Sequence, residues 1–415
     1  MSLKKNVIYL VLMQAVNYIA PLVLVPYLTR ILGVEKYGVL GLAITVSQYL
    51  ILLTDFGFNF TASRKIAQFK DSKVRVSQIF WTIISAKFLM MIVSFGLIVP
   101  FVVFSEKLNP LKWEIFLVSL SVVASVIIPS WLFQGLEKVT VFSGINIFSK
   151  ILIVPLVFIF VKSKEDLLIA CLLQGGVQVF SGIISILYVK YNNIISFKVV
   201  RPKLIFIYLK ESLSVFLGNL SISLYTLSTP LVLALMGTTY QVGLYSATDR
   251  IRGAAIGIFI VVGYAIFPRV SYLFKKNPLE ANVLLKKIIF IFSILGCLGG
   301  VLVYSIADEI VLVAFGNQYL DSAILLKIMA PMFLLIPLSI IMANYLLLPN
   351  GFKKEYAKNS VIVCLLHMTY VFPLCKYYGA VGGSYSILIS EIISFILLIF
   401  WTIKNNLLKK VFYAR

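Results

Sequence analysis

The sequence predicts an all-α membrane protein of about twelve transmembrane helices, in two six-helix lobes related by a parallel pseudo-two-fold repeat, with a central cavity. Three observations predict it. Of its 415 residues 60% are hydrophobic, mean hydropathy is +1.00, and long apolar stretches recur along the whole chain. A soluble protein of this length has too little interior to hide so much apolar surface. Lys and Arg collect in the short gaps between those stretches, the pattern of positive-inside topology. Finally, WLFQGLEK at 131–138 and LLLPNGFKK at 346–354 share one build: an apolar run, an amide side chain, a glycine, an apolar residue, then charge.

The same numbers exclude other classes. No ten-residue alternation of apolar and polar residues suggests a β-barrel. The net charge of +21 belongs to the loops and not to a nucleic-acid face. Cys171, Cys297, Cys364 and Cys375 sit unpaired in apolar stretches and read as small core residues. With a single histidine, His367, no metal or cofactor site is expected. The N-terminal apolar run carries Gln14 and Asn17 and passes Pro21 and Pro26 without a cleavage pattern, so it reads as a retained first helix.

About twenty residues at ~1.5 Å each cross a hydrocarbon core of roughly 30 Å. On that ruler spans fall near 6–28, 37–58, 79–104, 114–136, 139–161, 167–189, 214–236, 243–267, 288–307, 324–347, 358–376 and 380–402. Pro129, Pro155, Pro230 and Pro337 are expected to kink their helices. With the N-terminus inside, 25 cations fall on the cytoplasmic side, seven outside and five within spans, which places both termini in the cytoplasm. No loop exceeds about thirty residues, so no separate domain is expected to host an enzyme.

Twelve spans with both ends inside divide into 1–205 and 206–415. PLVLVPYLTRILGVEKYGVLGLA (21–43) resembles PLVLALMGTTYQVGLYSA (230–247) once a short gap is opened. The two Gly-Lys phrases close spans four and ten, counterparts in the two halves. Each reads as a tight turn, with glycine for the sharp backbone and cations for the inner face. Two parallel lobes with a cleft between them are a transporter plan.

Ionisable residues within spans cost about 2.5–3.5 kcal/mol each on insertion scales. Lys87 (span three), Lys150 (span five), Arg250 and Arg252 (span eight) and Lys327 are such cations, against Asp55, Asp249 and Glu391. Asp55 and Lys327 lie near enough to an interface to snorkel or cap, and Asp249 can pair with either arginine. Glu391 can pair with a cation or carry a proton, while His367 reads as a satisfied core residue. Spans three, five and eight offer four cations against one acid, and a cavity so lined attracts anions, phosphate above all. Gln14, Asn17, Asn146, Gln174, Gln178, Asn219 and Tyr225 add the hydroxyl and amide partners that sugars require.

LLTDFGFNFTASRKIA (52–67), PSWLFQGLEKVTVFSGINIFSKILIVPLVF (129–158), VGLYSATDRIR (242–252), IFPRVS (266–271) and FGNQYLDSAILLKIMAP (315–331) resemble the Wzx-type polysaccharide flippases. That group belongs to the superfamily that also holds multidrug-toxin extruders and peptidoglycan-lipid flippases. The resemblance runs in order over nearly the whole chain. It implies a non-enzymatic transporter of the bacterial inner membrane. The cargo it implies is an undecaprenyl-pyrophosphate-linked oligosaccharide, an O-antigen repeat unit, moved from the cytoplasmic to the periplasmic leaflet.

It also implies alternating access coupled to a proton or sodium ion, membrane lipids around it, and polymerase or chain-length proteins as partners. Lys87, Lys150, Arg250, Arg252, Asn146, Gln14 and Asn17 are then the expected substrate-binding residues, and Glu391, Asp55 and Asp249 the ion-coupling ones. The alternatives are a peptidoglycan-lipid flippase, which usually has more helices, and a multidrug cation antiporter, which would want acids in its first lobe. A polymerase or ligase would need a large outer loop that this chain lacks.

Overall fold

A computed structural model describes the backbone from Leu3 to Phe412. The side chains of residues 3–7, Tyr264, Ala265, Phe267, Pro268, Ser271 and Lys275 lie outside the described residues. Lys4, Lys5, Lys275 and Arg415 of the charge count, and part of IFPRVS, fall there. The chain forms two compact units, 1–220 and 221–415.

In unit 1, α1 (Leu3–Asp55) is two spans in one run, broken at Gly33, whose φ of 74° most side chains avoid. Gly57 (φ 79°) turns the chain into α2 (Phe58–Gln68). This helix buries Phe58, Ala62 and Ile66, one stripe at four-residue spacing, and leaves Arg64, Ala67 and Gln68 exposed. Ser72 caps α3 (Lys73–Phe104), its hydroxyl accepting from the Arg75 amide. Along α3, Phe88, Leu89, Ile92, Val93 and Leu97 are exposed in a stripe suited to acyl chains, while Ile83, Ala86 and Lys87 turn inward. There follow α4 (Lys112–Val118), α5 (Leu120–Ile127), α6 (Ser130–Gly135), α7 (Val139–Phe160) and α8 (Leu167–Tyr191). In the connection before α8, Asp166 accepts from the Lys162 and Ser163 amides, which holds its carboxyl below the usual range.

The boundary at Leu220 falls inside α9 (Pro202–Thr226). Residues 206–220 side with unit 1 because they are pinned to α2. Lys65 pairs with Glu211 at 2.6 Å, Thr61 and Ser212 hydroxyls lie 2.6 Å apart, and Phe216 stacks on Phe56.

The WLFQGLEK phrase has a packing reason. Trp131, Leu132 and Phe133 are fully buried against α2 and α3 while Gln134 stays exposed. The expectation that Gly135 makes the sharp backbone is corrected, since the positive φ in this turn belongs to Glu137 (59°). Gly135 is instead a close-approach residue, where an added Cβ would lie 2.5 Å from the Ile66 Cβ and 2.7 Å from the Ser63 carbonyl. Gly135→Ala should therefore destabilise unit 1 by about 1–3 kcal/mol, read as a lower thermal midpoint in detergent. In the second phrase Gly351 (φ 87°) does make the turn, and Leu346 and Leu347 are buried.

Unit 2 continues with α10 (Ser228–Met236), α11 (Thr239–Lys276), α12 (Pro278–Ser305), α13 (Ala307–Phe315), α14 (Ser322–Met329) and α15 (Met332–Ile340). A π-helical stretch, Ile341–Leu347, then leads to α16 (Lys353–Lys404) and α17 (Leu407–Phe412). Gly379 (φ 53°) breaks α16 into two spans. Among the described residues eight helical runs are long and apolar enough to cross a membrane, nine with the bent pair 322–329 and 332–347. Counting α1 and α16 as two each, and adding α11, reaches the twelve expected.

The proline expectations divide. Pro129 and Pro230 stand at helix breaks, whereas Pro155 and Pro337 lie within continuous α7 and α15. The 43° bend of the tenth span falls at residues 330–331, six residues before Pro337. Pro331 cannot continue the α14 ladder, because it has no N–H to donate.

Candidate functional site

Each unit holds a polar cluster inside its apolar shell. In unit 1, Lys87 is 1% exposed and its Nζ lies 2.5 Å from Asp55 Oδ1. The ammonium also donates to the Ser125 carbonyl at 2.8 Å. Asp55 Oδ2 accepts from Asn59 at 3.0 Å, and Asn59 Oδ1 accepts from Ser130 at 3.1 Å. Residues placed in separate roles by sequence, one cation for substrate and one acid for coupling, thus form one pair, Lys87 buried and Asp55 half-buried, that with Asn59, Ser125 and Ser130 ties α1, α2, α3, α5 and α6. Asn59 and Ser130 were not singled out from sequence, although Asn59 stands only four residues after Asp55, across the Phe56–Gly57 turn.

A second group lies on α7. Ser143, Asn146 and Lys150 are spaced three and four apart, so they share one helix face. Lys150 and Asn146 are half-buried. The Ser143 hydroxyl and the Asn146 Oδ1 are buried with no hydrogen-bond partner among the described residues. Such orphaned atoms ask for water or ligand. The first arm of α1 packs along α7, fixed where the Tyr27 hydroxyl donates to the Val161 carbonyl at 2.7 Å and its ring meets Phe158. Counting back along both helices, Gln14 and Asn17 reach about the level of residues 145–151. Both are half-buried and make no side-chain hydrogen bond among the described residues.

In unit 2, Arg252 Nε and Nη2 converge on Asp249 Oδ1 at 2.9 and 2.6 Å. Arg250, two residues earlier, is half-buried and joins no ion pair among the described residues. Glu391 is 9% exposed and lies within electrostatic range of Arg252, Tyr225 and Tyr370. The expectation of four cations against one acid is therefore corrected: Asp55 from the preceding helix answers Lys87, and Asp249 answers Arg252. A count along the chain cannot see that Asp55, at the end of its own span, reaches a lysine on the next helix.

Beside Glu391 runs a hydrogen-bonded chain that sequence reading missed. Ser228 Oγ meets His367 Nε2 at 2.9 Å, His367 Nδ1 meets Ser390 Oγ at 2.7 Å, and Tyr370 OH meets the same Ser390 at 2.8 Å. The signal was the repeat Ser386, Ser390, Ser394, one face of a helix at four-residue steps. His367 is the satisfied core histidine its apolar surroundings suggested. His367→Phe would strand the Ser228 hydroxyl, while Ser390 keeps Tyr370 and the Ser386 carbonyl, and a loss of about 1–3 kcal/mol is expected in the unfolding of detergent-solubilised protein.

The chain matches the family described as polysaccharide biosynthesis protein over residues 3–274. A protein of Escherichia coli K12 named "Putative O-antigen transporter" is 31% identical over 408 residues, 98% of each chain. A Shigella dysenteriae protein of the same name is 30% identical over 94% of this chain and 98% of its own. Among solved structures, the lipid II flippase MurJ in an inward closed conformation has a TM-score of 0.76 at 14% identity, covering 99% of this chain and 90% of that one. An inward-facing multidrug resistance MATE family transporter of the MOP superfamily has a TM-score of 0.71 at 12% identity, covering 93% and 94%. Those two likenesses concern the fold. The two relatives at 31% and 30% identity are named as transporters, not as enzymes. From the family match and the near-full-length identity to these relatives, the chain belongs to the polysaccharide biosynthesis protein family.

Proposed function

We propose that the protein moves an undecaprenyl-pyrophosphate-linked oligosaccharide, an O-antigen repeat unit, from the cytoplasmic to the periplasmic leaflet of the bacterial inner membrane. Movement is by alternating access with both termini in the cytoplasm. The observation that carries the reading is the α7 face, where half-buried Lys150 stands beside the orphaned Asn146 and Ser143 oxygens. A lysine with amide and hydroxyl groups is what a phosphate joined to a sugar needs: charge for the one, directed hydrogen bonds for the other. The names of the relatives at 31% and 30% identity support the O-antigen part of this reading.

Of the four cations, Lys150 and Arg250 carry this role. Lys150 takes it from its place beside the orphaned Asn146 and Ser143 oxygens, and Lys87 and Arg252 each pair with a carboxylate. Gln14 and Asn17 join Lys150 from α1. Of the three acids, Asp55 and Asp249 are paired, which leaves Glu391 as the coupling carboxylate for a proton or sodium ion. The polyprenyl tail stays in the bilayer, so only the polar head crosses.

The test is complementation. Cells deleted for this gene should lose long-chain surface polysaccharide and regain it from the wild-type copy. Accumulation of polymer in the deleted strain at the wild-type level would contradict the proposal.

A further inference from the structure

At the basic end of unit 1, where α3 and α7 begin and α6 and α8 end, an open cavity of about 510 Å³ is lined by Lys70, Asp71, Lys73, Leu136, Lys138 and Asn192, with Val76 and Ile194 completing it. It lies apart from the α7 face, and it accounts for the charged end of the WLFQGLEK phrase. Trp131 to Phe133 are buried, Gly135 lets α2 approach, and the turn that follows delivers Lys138 to the cavity wall. Glu137 takes a positive φ to make that turn, and Asn193 takes one beside Asn192 on the facing wall. Two non-glycine residues in left-handed backbone thus flank the lining residues Lys138 and Asn192.

We propose that this cavity is a phosphate-binding site. Three lysines line it, and α3 and α7 both start at its wall, α7 with no capping side chain, so positive helix ends add to the lysines. Asp71 lines the hollow too, and Lys70 pairs with Glu137 at 3.2 Å. The three lysines still exceed the two acids. An incoming phosphate competes with Glu137 for an exposed lysine, an exchange of one solvated pair for another. The lysines serve as mobile point charges, which suits a phosphate monoester or pyrophosphate more than a planar carboxylate. The group comes from a membrane-lipid headgroup or from a soluble phosphate. The inference is independent of the transport reading, because it concerns binding at a different place.

The test uses the full chain purified in detergent. Inorganic pyrophosphate is titrated by calorimetry, and adducts of phosphatidic acid against diacylglycerol are counted by native mass spectrometry. The variant Lys70→Gln/Lys73→Gln/Lys138→Gln is compared with Lys190→Gln/Lys203→Gln/Lys210→Gln, which removes three other lysines of unit 1. Losing three charge-assisted contacts should weaken binding at least roughly tenfold, with the control variant like wild type and thermal midpoints equal. Lys138→Gln alone serves if the triple variant melts early. Loss in both arms assigns the site to any phosphate, loss only with phosphatidic acid to a lipid headgroup, and loss only with pyrophosphate to a soluble one. Equal binding by the cavity and control variants in both arms overturns the proposal.

Discussion

Lys87→Ala should lower the stability of unit 1 by about 3–5 kcal/mol, more than any other single change considered. The substitution removes the cation that Asp55 faces, opens a hole where the buried lysine stem packed, and strands the Ser125 carbonyl that Lys87 now serves. The cost is that of an uncompensated charge, not the net worth of the pair. Replacing both partners together should therefore recover most of it. Asp55→Asn with Lys87→Met keeps the hydrogen bond to Asn59 and fills the lysine's volume with an apolar chain. The double variant should melt well above Lys87→Ala in detergent, short of wild type only by the unserved Ser125 carbonyl, and restore surface polysaccharide. A double variant that folds but does not transport would give the pair a part in the cycle and return Lys87 and Asp55 to the roles expected from sequence.

The second large effect is on function. Lys150→Gln should reduce cargo movement roughly ten- to hundredfold, the equivalent of about 1.5–3 kcal/mol for a hydrogen bond to a charged group. The protein should remain in the membrane at the wild-type level, because Lys150 is half-buried and glutamine can occupy much of its path. Lys150→Arg should keep part of the activity, since the charge persists while the donor geometry changes. Polymer level per unit of membrane-inserted protein reads both. Normal polymer from Lys150→Gln would remove the phosphate contact from α7.

How much of this was legible in the sequence depended on the distance between cause and effect. Gly33 and Gly379, which divide the two longest helices, lie in the gaps that hydropathy alone assigned between spans. The helices outrun the apolar stretches at their basic ends, as where α12 begins at Pro278 and not near 288, because the charged flanks stay helical beyond the hydrocarbon. Pairing across the fold was hidden. Nothing local says that Asp55 answers Lys87, that α9 is fastened to α2 through Lys65 and Glu211, or that Gly135 exists to admit Ile66. The serine face of α16 was visible in the spacing of Ser386, Ser390 and Ser394, but a hydrophobic count passes over serines. Within one helix, Asn146 and Lys150 could be read together, because a four-residue step puts both on one face.

The account is tested most directly in proteoliposomes that contain only this protein and a polyprenyl-pyrophosphate oligosaccharide bearing a radiolabelled sugar. A membrane-impermeant glycosidase added outside reports the fraction of cargo in the outer leaflet. With wild-type protein the protected fraction should fall with time below its value in protein-free vesicles, and Lys150→Gln should leave it nearly constant. Protection that stays at the protein-free level with wild-type protein, under both a proton and a sodium gradient, would contradict the claim that this chain moves lipid-linked saccharide across a bilayer.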